Sequence, residues 1–487
     1  MLFNSVSYVF FLALFTLAYW SLSGRLRVWL ILFSSCVFYG FWKPEYLLIM
    51  FLSSSIDYFL AKKIQDTDIL KYKKFYLFVG ILVNLSFLIY FKYTYFFLNS
   101  GAAIIGFFGL QLPVPELGII LPLAISFYTF EAISYLIDVY RGVFPAIRSY
   151  VHYSCFITFF PKLVAGPVLR AAEIVPQFIS TPSFNPRFVS EGFEKILLGL
   201  FLKVVLADNI APIVDGIYAT DPSRMSGVDV LVAAFLFGFQ IYFDFAGYSL
   251  IAIGSAILAG IRIPDNFNFP YISESPREFW KKWHISLSSW IRDYLYIAIQ
   301  GVSHDKVSSA RNALDIVIAD RRWLISAASL FITWIIMGLW HGANWTFALW
   351  GIYHASLILI YRFFSRFRSI LPPFAIRLLG LPITLTAIML GWIPFRAQDV
   401  GDAIEMWGRL LHFDGFFNLG LRENYYLISF LILCSMFLMY QIRYLIFVNG
   451  SPYSPALRML RVIIFGFIFV VVFVFFRPIN QFIYFQF

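Results

Sequence analysis

Residues 228–259 read VDVLVAAFLFGFQIYFDFAGYSLIAIGSAILA, and Asp229 and Asp244 are the only charged positions in the run. A helix needs ~20 apolar residues to cross a bilayer, so this stretch is long enough to span with residues to spare. Val462–Phe476, without a single charge, says the same near the other end of the chain. The whole composition agrees. Of 487 residues, 60% are hydrophobic, 21% aromatic and only 13% charged, and mean hydropathy is +0.78. Soluble domains carry roughly 25% charged residues, so this chain could not cover a water-facing surface. The expected class is an all-α polytopic membrane protein.

Apolar windows near 5–22, 28–42, 46–61, 75–98, 119–137, 193–211 and 230–259 are candidate spans. Further windows lie near 323–341, 345–361, 376–394, 425–442 and 459–476, which makes about twelve, with 28–42 and 46–61 short for the purpose. Two more segments, about 151–168 and 278–299, are apolar but broken by His, Lys, Arg and Pro. They read as re-entrant or interfacial, because irregular polar backbone at membrane depth must be buried in protein or line a cavity. No repeat or soluble domain is visible, so residues 1–487 read as one integral membrane domain.

Lys and Arg exceed Asp and Glu by 37 to 27, a net charge of +10. Arg25/Arg27, Lys62–Lys74, Arg141/Arg148, Arg262–Lys282, Lys306–Arg322, Arg362–Arg377 and Arg443–Arg461 fall on one side of the alternating spans. The opposite loops, Asp215–Asp229 and 396–424, are acidic or poor in charge. Positive-inside orientation then places both termini outside the cytoplasm and makes the excess charge cytoplasmic loops, not a nucleic-acid surface. The positive charge at Arg25 follows the first apolar run instead of preceding it, so Ser5–Leu22 is expected to remain as a helix. Cys36, Cys155 and Cys434 all lie in apolar stretches and are expected as small buried hydrophobes, not as a disulfide or metal framework.

Ionisable groups inside apolar sequence are expensive and mark function by default. The first such signal is Trp334-Ile-Ile-Met-Gly338-Leu-Trp340-His341-Gly342-Ala-Asn344-Trp345. His341 ends one span just before the next begins. Gly338 and Gly342 let a neighbouring helix approach closely beside it. If the helix continued, Asn344 could orient the imidazole; otherwise it caps the following helix. A histidine simply satisfied by a carbonyl between helices is the plainer alternative.

The second signal is Pro276-Arg-Glu-Phe-Trp-Lys-Lys-Trp-His284-Ile-Ser-Leu-Ser-Ser-Trp-Ile-Arg-Asp-Tyr. At helical period Arg277, Lys281, His284, Ser288 and Arg292 share one face, and Trp280, Trp283, Leu287, Trp290, Ile291 and Tyr294 the other. Such a helix either lies in the membrane interface or dips inward, with His284 toward a polar path. Arg277, Lys281 and Lys282 would then attract a phosphate-bearing donor from the cytoplasm. Asp244 and Lys162 are further intramembrane charges that need partners. His152, His304, His354 and His412 have no comparable context and read as structural or solvated. There is no HExxH, GxSxG, Walker loop or GxGxxG. A buried base without a Ser or Cys nucleophile suits direct acyl transfer to a hydroxyl supplied by another molecule.

At these residues the chain resembles the membrane-bound O-acyltransferase family, in the bacterial branch of the alginate O-acetyltransferase membrane subunit and the teichoic-acid D-alanyl-transfer membrane protein. The resembling motifs are Phe160-Pro-Lys-Leu-Val-Ala-Gly-Pro167, Tyr242-Phe-Asp-Phe-Ala-Gly-Tyr248 and Glu278-Phe-Trp-Lys-Lys-Trp-His284-Ile-Ser-Leu-Ser. Trp290-Ile-Arg-Asp-Tyr294 and Gly338-Leu-Trp-His341-Gly-Ala-Asn-Trp345 follow in family order. They occupy a core of about 120–360, flanked by peripheral helices in 1–119 and 361–487.

The resemblance implies a ring of helices with re-entrant segments around a tunnel joining the two faces of a bacterial cytoplasmic (inner) membrane. It implies transfer of an acetyl group from acetyl-CoA to an outer hydroxyl, with no permanent cofactor and no metal. His341 matches the family's essential histidine and would be the general base, a role suited to imidazole at neutral pH, or a transient acyl carrier. His284 matches the second histidine and would orient or polarise the thioester. Asn344, Trp340, Asp244, Tyr248, Trp283, Ser288, Arg292 and Asp293 would support the site or line the tunnel. The implied partners are membrane lipid, a polysaccharide acceptor such as alginate or peptidoglycan, and an extracytoplasmic acetyltransferase or hydrolase-like protein.

The chain departs from the family pattern after Tyr296. Ile297-Ala-Ile-Gln-Gly301-Val-Ser-His-Asp-Lys replaces a Pro and a Gly-Gly-Asn loop, and a longer polar stretch follows to Arg322. D-Alanyl transfer from a carrier-protein thioester is therefore the closest alternative. A secondary transporter is more remote, because no paired repeats with broken helices are visible.

Overall fold

The computed structural model describes residues 1–164, 166–180, 182–301, 323–365, 372–443 and 455–476. His304 and the basic stretch Lys306–Arg322 lie outside the described residues, as do the altered loop beyond Gly301 and parts of Arg362–Arg377 and Arg443–Arg461. The described residues form helices joined by loops, with no strand among them. Among the described residues, six helices are long and apolar enough to cross a membrane: Leu70–Phe107, Pro186–Tyr218, Gly227–Leu258, Trp345–Ser365, Leu378–Arg396 and Glu423–Gln441. Shorter apolar helices accompany them.

α1 (Val6–Ser21) shows what kind of surface these helices expose. It starts where Ser5 Oγ accepts the Tyr8 N–H at 3.1 Å, a side-chain cap for an otherwise orphaned donor. Its inward face carries Tyr8, Leu12, Phe15 and Tyr19, while Phe10, Leu14 and Leu17 point outward. Apart from Ser7 and Ser21 near its ends, the exposed face is hydrocarbon, and the buried face holds the tyrosine hydroxyls. That arrangement is the reverse of a soluble helix and fits lipid as the solvent.

The chain divides into two units. The first comprises Met1–Ile196 and Ser249–Pro264. It holds α2 (Arg25–Gly40), α3 (Glu45–Asp66), α4 (Leu70–Leu88), α5 (Thr94–Phe107) and α6 (Ile125–Arg141). α4 and α5 run into one another through a π-helical turn at Ile89–Tyr93. The doubtfully short window 46–61 is extended by Glu45 and Lys62–Asp66 into a helix of 22 residues. The window 119–137 is corrected at its start: Pro113, Pro115 and Pro122, with Gly118 at φ +61°, keep the chain irregular until Ile125. The re-entrant candidate 151–168 is broken as expected, into α7 (Tyr150–Thr158) and α8 (Phe160–Leu163). There Lys162 pairs with Glu131 of α6, whose other oxygen accepts the Leu169 N–H at 3.0 Å. The intramembrane lysine of the Phe160–Pro167 motif thus has a structural partner. α9 (Ala171–Ile179) and most of α10 (Pro186–Leu200) complete this unit.

The second unit comprises Leu197–Tyr248 and Asp265–Phe487. A π-helical stretch, Phe201–Ala207, leads from α10 into α11 (Asp208–Tyr218). Then come α12 (Gly227–Leu258), which belongs to this unit only as far as Tyr248, α13 (Pro276–Lys282), α14 (Ile285–Trp290), a π-helical stretch at Ile291–Tyr296 and the short α15 (Ile297–Ile299). α16 (Trp323–His341) and α17 (Trp345–Ser365) form a tight hairpin. α18 (Pro373–Gly391), α19 (Ile393–Arg396), α20 (Val400–Arg409), α21 (Glu423–Arg443) and α22 (Pro455–Phe475) follow. Of the cysteines, Cys155 is buried, Cys36 half-buried and Cys434 exposed. The expectation that all three are buried fails at Cys434, because a surface facing hydrocarbon places no premium on hiding a small apolar thiol.

Candidate active site

His341 is the last residue of α16 and is 6% exposed. Its position is set by two glycine contacts in the α16–α17 hairpin. A methyl at Gly338 would come within 2.9 Å of the Phe347 carbonyl carbon, and one at Gly351 within 2.7 Å of that of Trp334. The backbones therefore touch where Gly leaves room, as the Gly338–Gly342 spacing predicts. Gly342 in turn faces the Phe347 ring. The imidazole then lies edge-on to Trp350 (ring centroids 5.3 Å, 81°), with Phe395 at 5.3 Å and Trp340 at 5.0 Å.

Asn344 takes the capping role. α16 stops at His341, Asn344 is exposed, and its Oδ1 accepts the Thr346 N–H at 3.1 Å. It does not sit one turn along the same helix to orient the ring.

The single amphipathic helix read across 276–296 is also corrected. α13 ends at Lys282, and His284 takes left-handed backbone angles (φ +41°, ψ +57°) that turn the chain before α14 begins. An L-residue pays roughly 1–2 kcal/mol for that conformation. The loop before α13 holds it there. Ile285 N–H donates to Asn266 O at 2.9 Å and Asn268 N–H to Lys282 O at 3.0 Å. The Asn266 side chain does more: its Oδ1 accepts from Ser286 N–H (3.2 Å) and Ser286 Oγ (2.9 Å) and lies 3.1 Å from His284 Nδ1. His284 is 1% exposed, edge-on to Phe245 at 4.6 Å and near-parallel to Phe267 at 6.4 Å. The apolar face behaves as the period indicates. Trp280, Trp283, Leu287, Trp290, Ile291 and Tyr294 are all buried.

On the other face Lys281 and Arg292 are exposed, and Arg277 and Ser288 half-buried. Lys282 Nζ donates to Ile272 O and pairs with Glu278, each at 2.7 Å. Ser288 Oγ donates to Trp283 O at 3.1 Å. Arg292 grips Asp293 through two bonds of 2.6 and 3.0 Å. Trp283 stacks on Phe279 at 5.5 Å and meets Trp392 at 4.8 Å.

Asp244 has the partner its depth requires. Lys203 Nζ lies 2.7 Å from Asp244 and 2.8 Å from Asp208, with Tyr248 5.6 Å away. Asp244 and Tyr248 belong to an ion cluster that ties α12 to the π-helical stretch. Gly247 faces the Gly199 carbonyl there, with room for no more than a hydrogen.

Sequence reasoning missed a buried group beside His341. His354, one turn after Trp350 on α17, is fully buried, not solvated. Its ring meets Trp350 at 4.8 Å, Trp280 at 4.9 Å and Trp334 at 5.6 Å. Neither of its nitrogens has a hydrogen-bond partner among the described residues, nor have the indole nitrogens of Trp280, Trp350 and Trp392. The Trp350–His354 spacing of four was the signal available. Asn266 had none, since eighteen residues of loop and helix separate it from His284. His152 is half-buried and His412 exposed. No group of three or more His, Cys, Asp or Glu able to hold a metal occurs among the described residues.

Three imidazoles, His284, His341 and His354, lie buried among aromatic rings in a multi-helix membrane protein. Comparison with known proteins supplies the family. Residues 143–314 match the model of MBOAT, the membrane-bound O-acyltransferase family. The chain is 39% identical over 416 residues to a probable alginate O-acetylase of Azotobacter vinelandii, covering 85% of this chain and 78% of that one. It is 33% identical over 444 residues to a peptidoglycan O-acetyltransferase of Helicobacter pylori, covering 83% and 79%. A teichoic acid D-alanyltransferase of Streptococcus thermophilus is 30% identical over 244 residues, covering 49% and 56%. The chain belongs to the membrane-bound O-acyltransferase family. It is a multi-pass membrane enzyme, an O-acetyltransferase.

Proposed function

We propose that this enzyme moves an acetyl group from cytoplasmic acetyl-CoA to a hydroxyl on the outer face of a bacterial cytoplasmic membrane. The destination is a cell-surface polysaccharide, an alginate-like exopolysaccharide or peptidoglycan, reached through an extracytoplasmic acetyltransferase or hydrolase-like partner. Both termini lie outside the cytoplasm in this reading, which follows the distribution of Lys and Arg. Relatives named as a probable alginate O-acetylase and a peptidoglycan O-acetyltransferase, each matched over more than three quarters of its length, support the acceptor class. D-Alanyltransferases match only half of the chain.

The observation that carries the chemistry is His341, buried at the end of α16 with Trp350 and Phe395 against its ring. His341 takes the proton of the acceptor hydroxyl as its oxygen attacks the thioester carbon. The carbonyl electron pair moves onto oxygen, then returns as the carbon–sulfur bond breaks, and the imidazolium gives its proton to the departing thiolate. No residue needs to be acylated. His284, buried 18 residues after Asn266, is the second histidine in contact with substrate. Lys281, Lys282 and Arg277 favour the phosphates of the donor.

The test is transfer of label from acetyl-CoA to an outer acceptor in membrane vesicles, with insertion of each variant verified. The expected result is transfer by the wild type and none by His341→Ala. Equal transfer by the two would refute the role of His341. Label from a D-alanyl carrier-protein thioester, and none from acetyl-CoA, would replace the donor.

A further inference from the structure

The bonds around Asn266 decide which nitrogen of His284 holds the proton. A backbone N–H can only donate, and the Ser286 N–H points at one side-chain atom of Asn266, 3.2 Å away. That atom is therefore the amide oxygen. The same atom accepts from the Ser286 hydroxyl at 2.9 Å and lies 3.1 Å from His284 Nδ1. An oxygen there can only accept, so Nδ1 carries the hydrogen. A neutral imidazole has one N–H, which leaves Nε2 as a bare lone pair. His284 Nε2 is buried and has no partner among the described residues.

A buried acceptor left without a hydrogen is destabilising. This one is held with effort as well, because His284 sits at φ +41°. The left-handed turn, the Ile285–Asn266 backbone bond and the Asn266 side chain all serve to aim one nitrogen. A thioester carbonyl offers only lone pairs, so Nε2 in this form cannot polarise it.

We propose that Asn266 is a positioning residue that fixes His284 in the Nδ1–H tautomer, so that Nε2 accepts a hydrogen bond from a neutral O–H or N–H of a substrate. The inference deepens the proposed function and rests on His284 lying on the substrate path. Two groups carry such a hydrogen: the acceptor hydroxyl, and an amide N–H of the donor's pantetheine arm. The first makes His284 a second anchor for the attacking oxygen beside the base. The second makes it a ruler for how deep the thioester enters. In either case the bond formed is reversible, and no proton leaves the substrate through His284.

The experiment uses the purified full chain in detergent, with labelled acetyl-CoA as donor and a chitooligosaccharide or oligomannuronate as hydroxyl probe. Asn266→Leu removes the acceptor at Nδ1 and is expected to release His284 to the other tautomer, with kcat/KM lowered at least about tenfold. Asn266→Asp keeps an oxygen at that place and is expected to recover most of the loss. A rise in KM confined to the probe assigns the hydrogen to the hydroxyl; one confined to acetyl-CoA assigns it to the amide. Nitrogen NMR of histidine-labelled protein, with His284→Gln to identify the signal, reads the tautomer directly in the wild type.

An Nε2–H signal for His284 in the wild type would overturn the inference, even if Asn266→Leu failed to fold. So would unchanged kcat and KM in folded Asn266→Leu. The proposed function stands in both cases provided His341→Ala is inactive. Activity in His341→Ala would instead overturn the function on which the inference rests.

Discussion

Replacing Gly351 by Ala puts a methyl group in place of a hydrogen at the closest point of the α16–α17 hairpin. The added carbon would lie 2.7 Å from the Trp334 carbonyl carbon and 3.0 Å from Ile335 N, with the Trp334 carbonyl oxygen nearer still. These are backbone atoms in mid-helix, so no rotamer change can clear the space. The helices must part by about 1 Å, and overpacking of this kind costs typically 1–3 kcal/mol. Ala gains up to ~1 kcal/mol of helix propensity over Gly, which offsets part of the cost and leaves the protein able to insert.

Function should suffer more than stability. Trp350 is the neighbour of Gly351 in sequence, and His341 ends the partner helix, their ring centroids 5.3 Å apart. A displacement of about 1 Å between catalytic groups is enough for a loss on the order of 10²-fold. The expected outcome is normal or mildly reduced amounts of inserted protein, with acetyl transfer down by about that factor. Gly338→Ala, which meets the Phe347 backbone from the other side, should behave alike. Gly216→Ala, whose added carbon meets open space, is the control and should transfer normally. Transfer by inserted Gly351→Ala at more than half the wild-type rate would refute the claim that this contact sets the site. An equal loss in Gly216→Ala would refute it as well.

The strained turn at His284 predicts that His284→Gly is more stable than other truncations of this side chain. It should exceed His284→Ala by about 1–2 kcal/mol in detergent unfolding, because Gly adopts positive φ freely; equal stability would mean the turn relaxes. Lys203 neutralises two carboxylates at once, at 2.7 and 2.8 Å. Lys203→Met should therefore cost about 3–5 kcal/mol and exceed the cost of Asp244→Asn, as judged by the yield and thermal stability of purified protein. The reverse ranking would show the cluster to be solvated. His354→Phe keeps an aromatic ring where two nitrogens lack partners among the described residues. Thermal stability should stay the same or rise, since removing an unsatisfied polar group relieves a penalty. A clear fall would show that a bound molecule normally satisfies His354.

How much of this protein was legible in its sequence differs from element to element. Long apolar runs sufficed for α1, α12 and α17, because lipid forces every backbone polar group into a helix whatever the neighbours do. The break between α7 and α8 was anticipated as an interruption of an apolar segment, and Gly338–Gly342 correctly marked a close helix contact. The fine course of 276–296 was not legible. A perfect amphipathic period ran straight through His284, where the chain turns left-handed instead. Asn344 shows the same limit: whether it orients or caps depends on where α16 stops.

What the sequence determined by itself was the solvent and the family, since composition and ordered motifs are properties of the chain alone. What only tertiary structure decided was partnership. Asp244 could have lined a water path or met any cation; the approach of Gly247 to Gly199 delivers Lys203. His354 could have faced lipid, and instead Trp334 and Trp350 of the hairpin, with Trp280 of α13 and Trp392 after α18, surround it. Asn266 is an undistinguished loop residue until the loop before α13 folds back on α14. A hydrogen bond has a range of about 3 Å, and no local pattern says which groups the fold will bring that close.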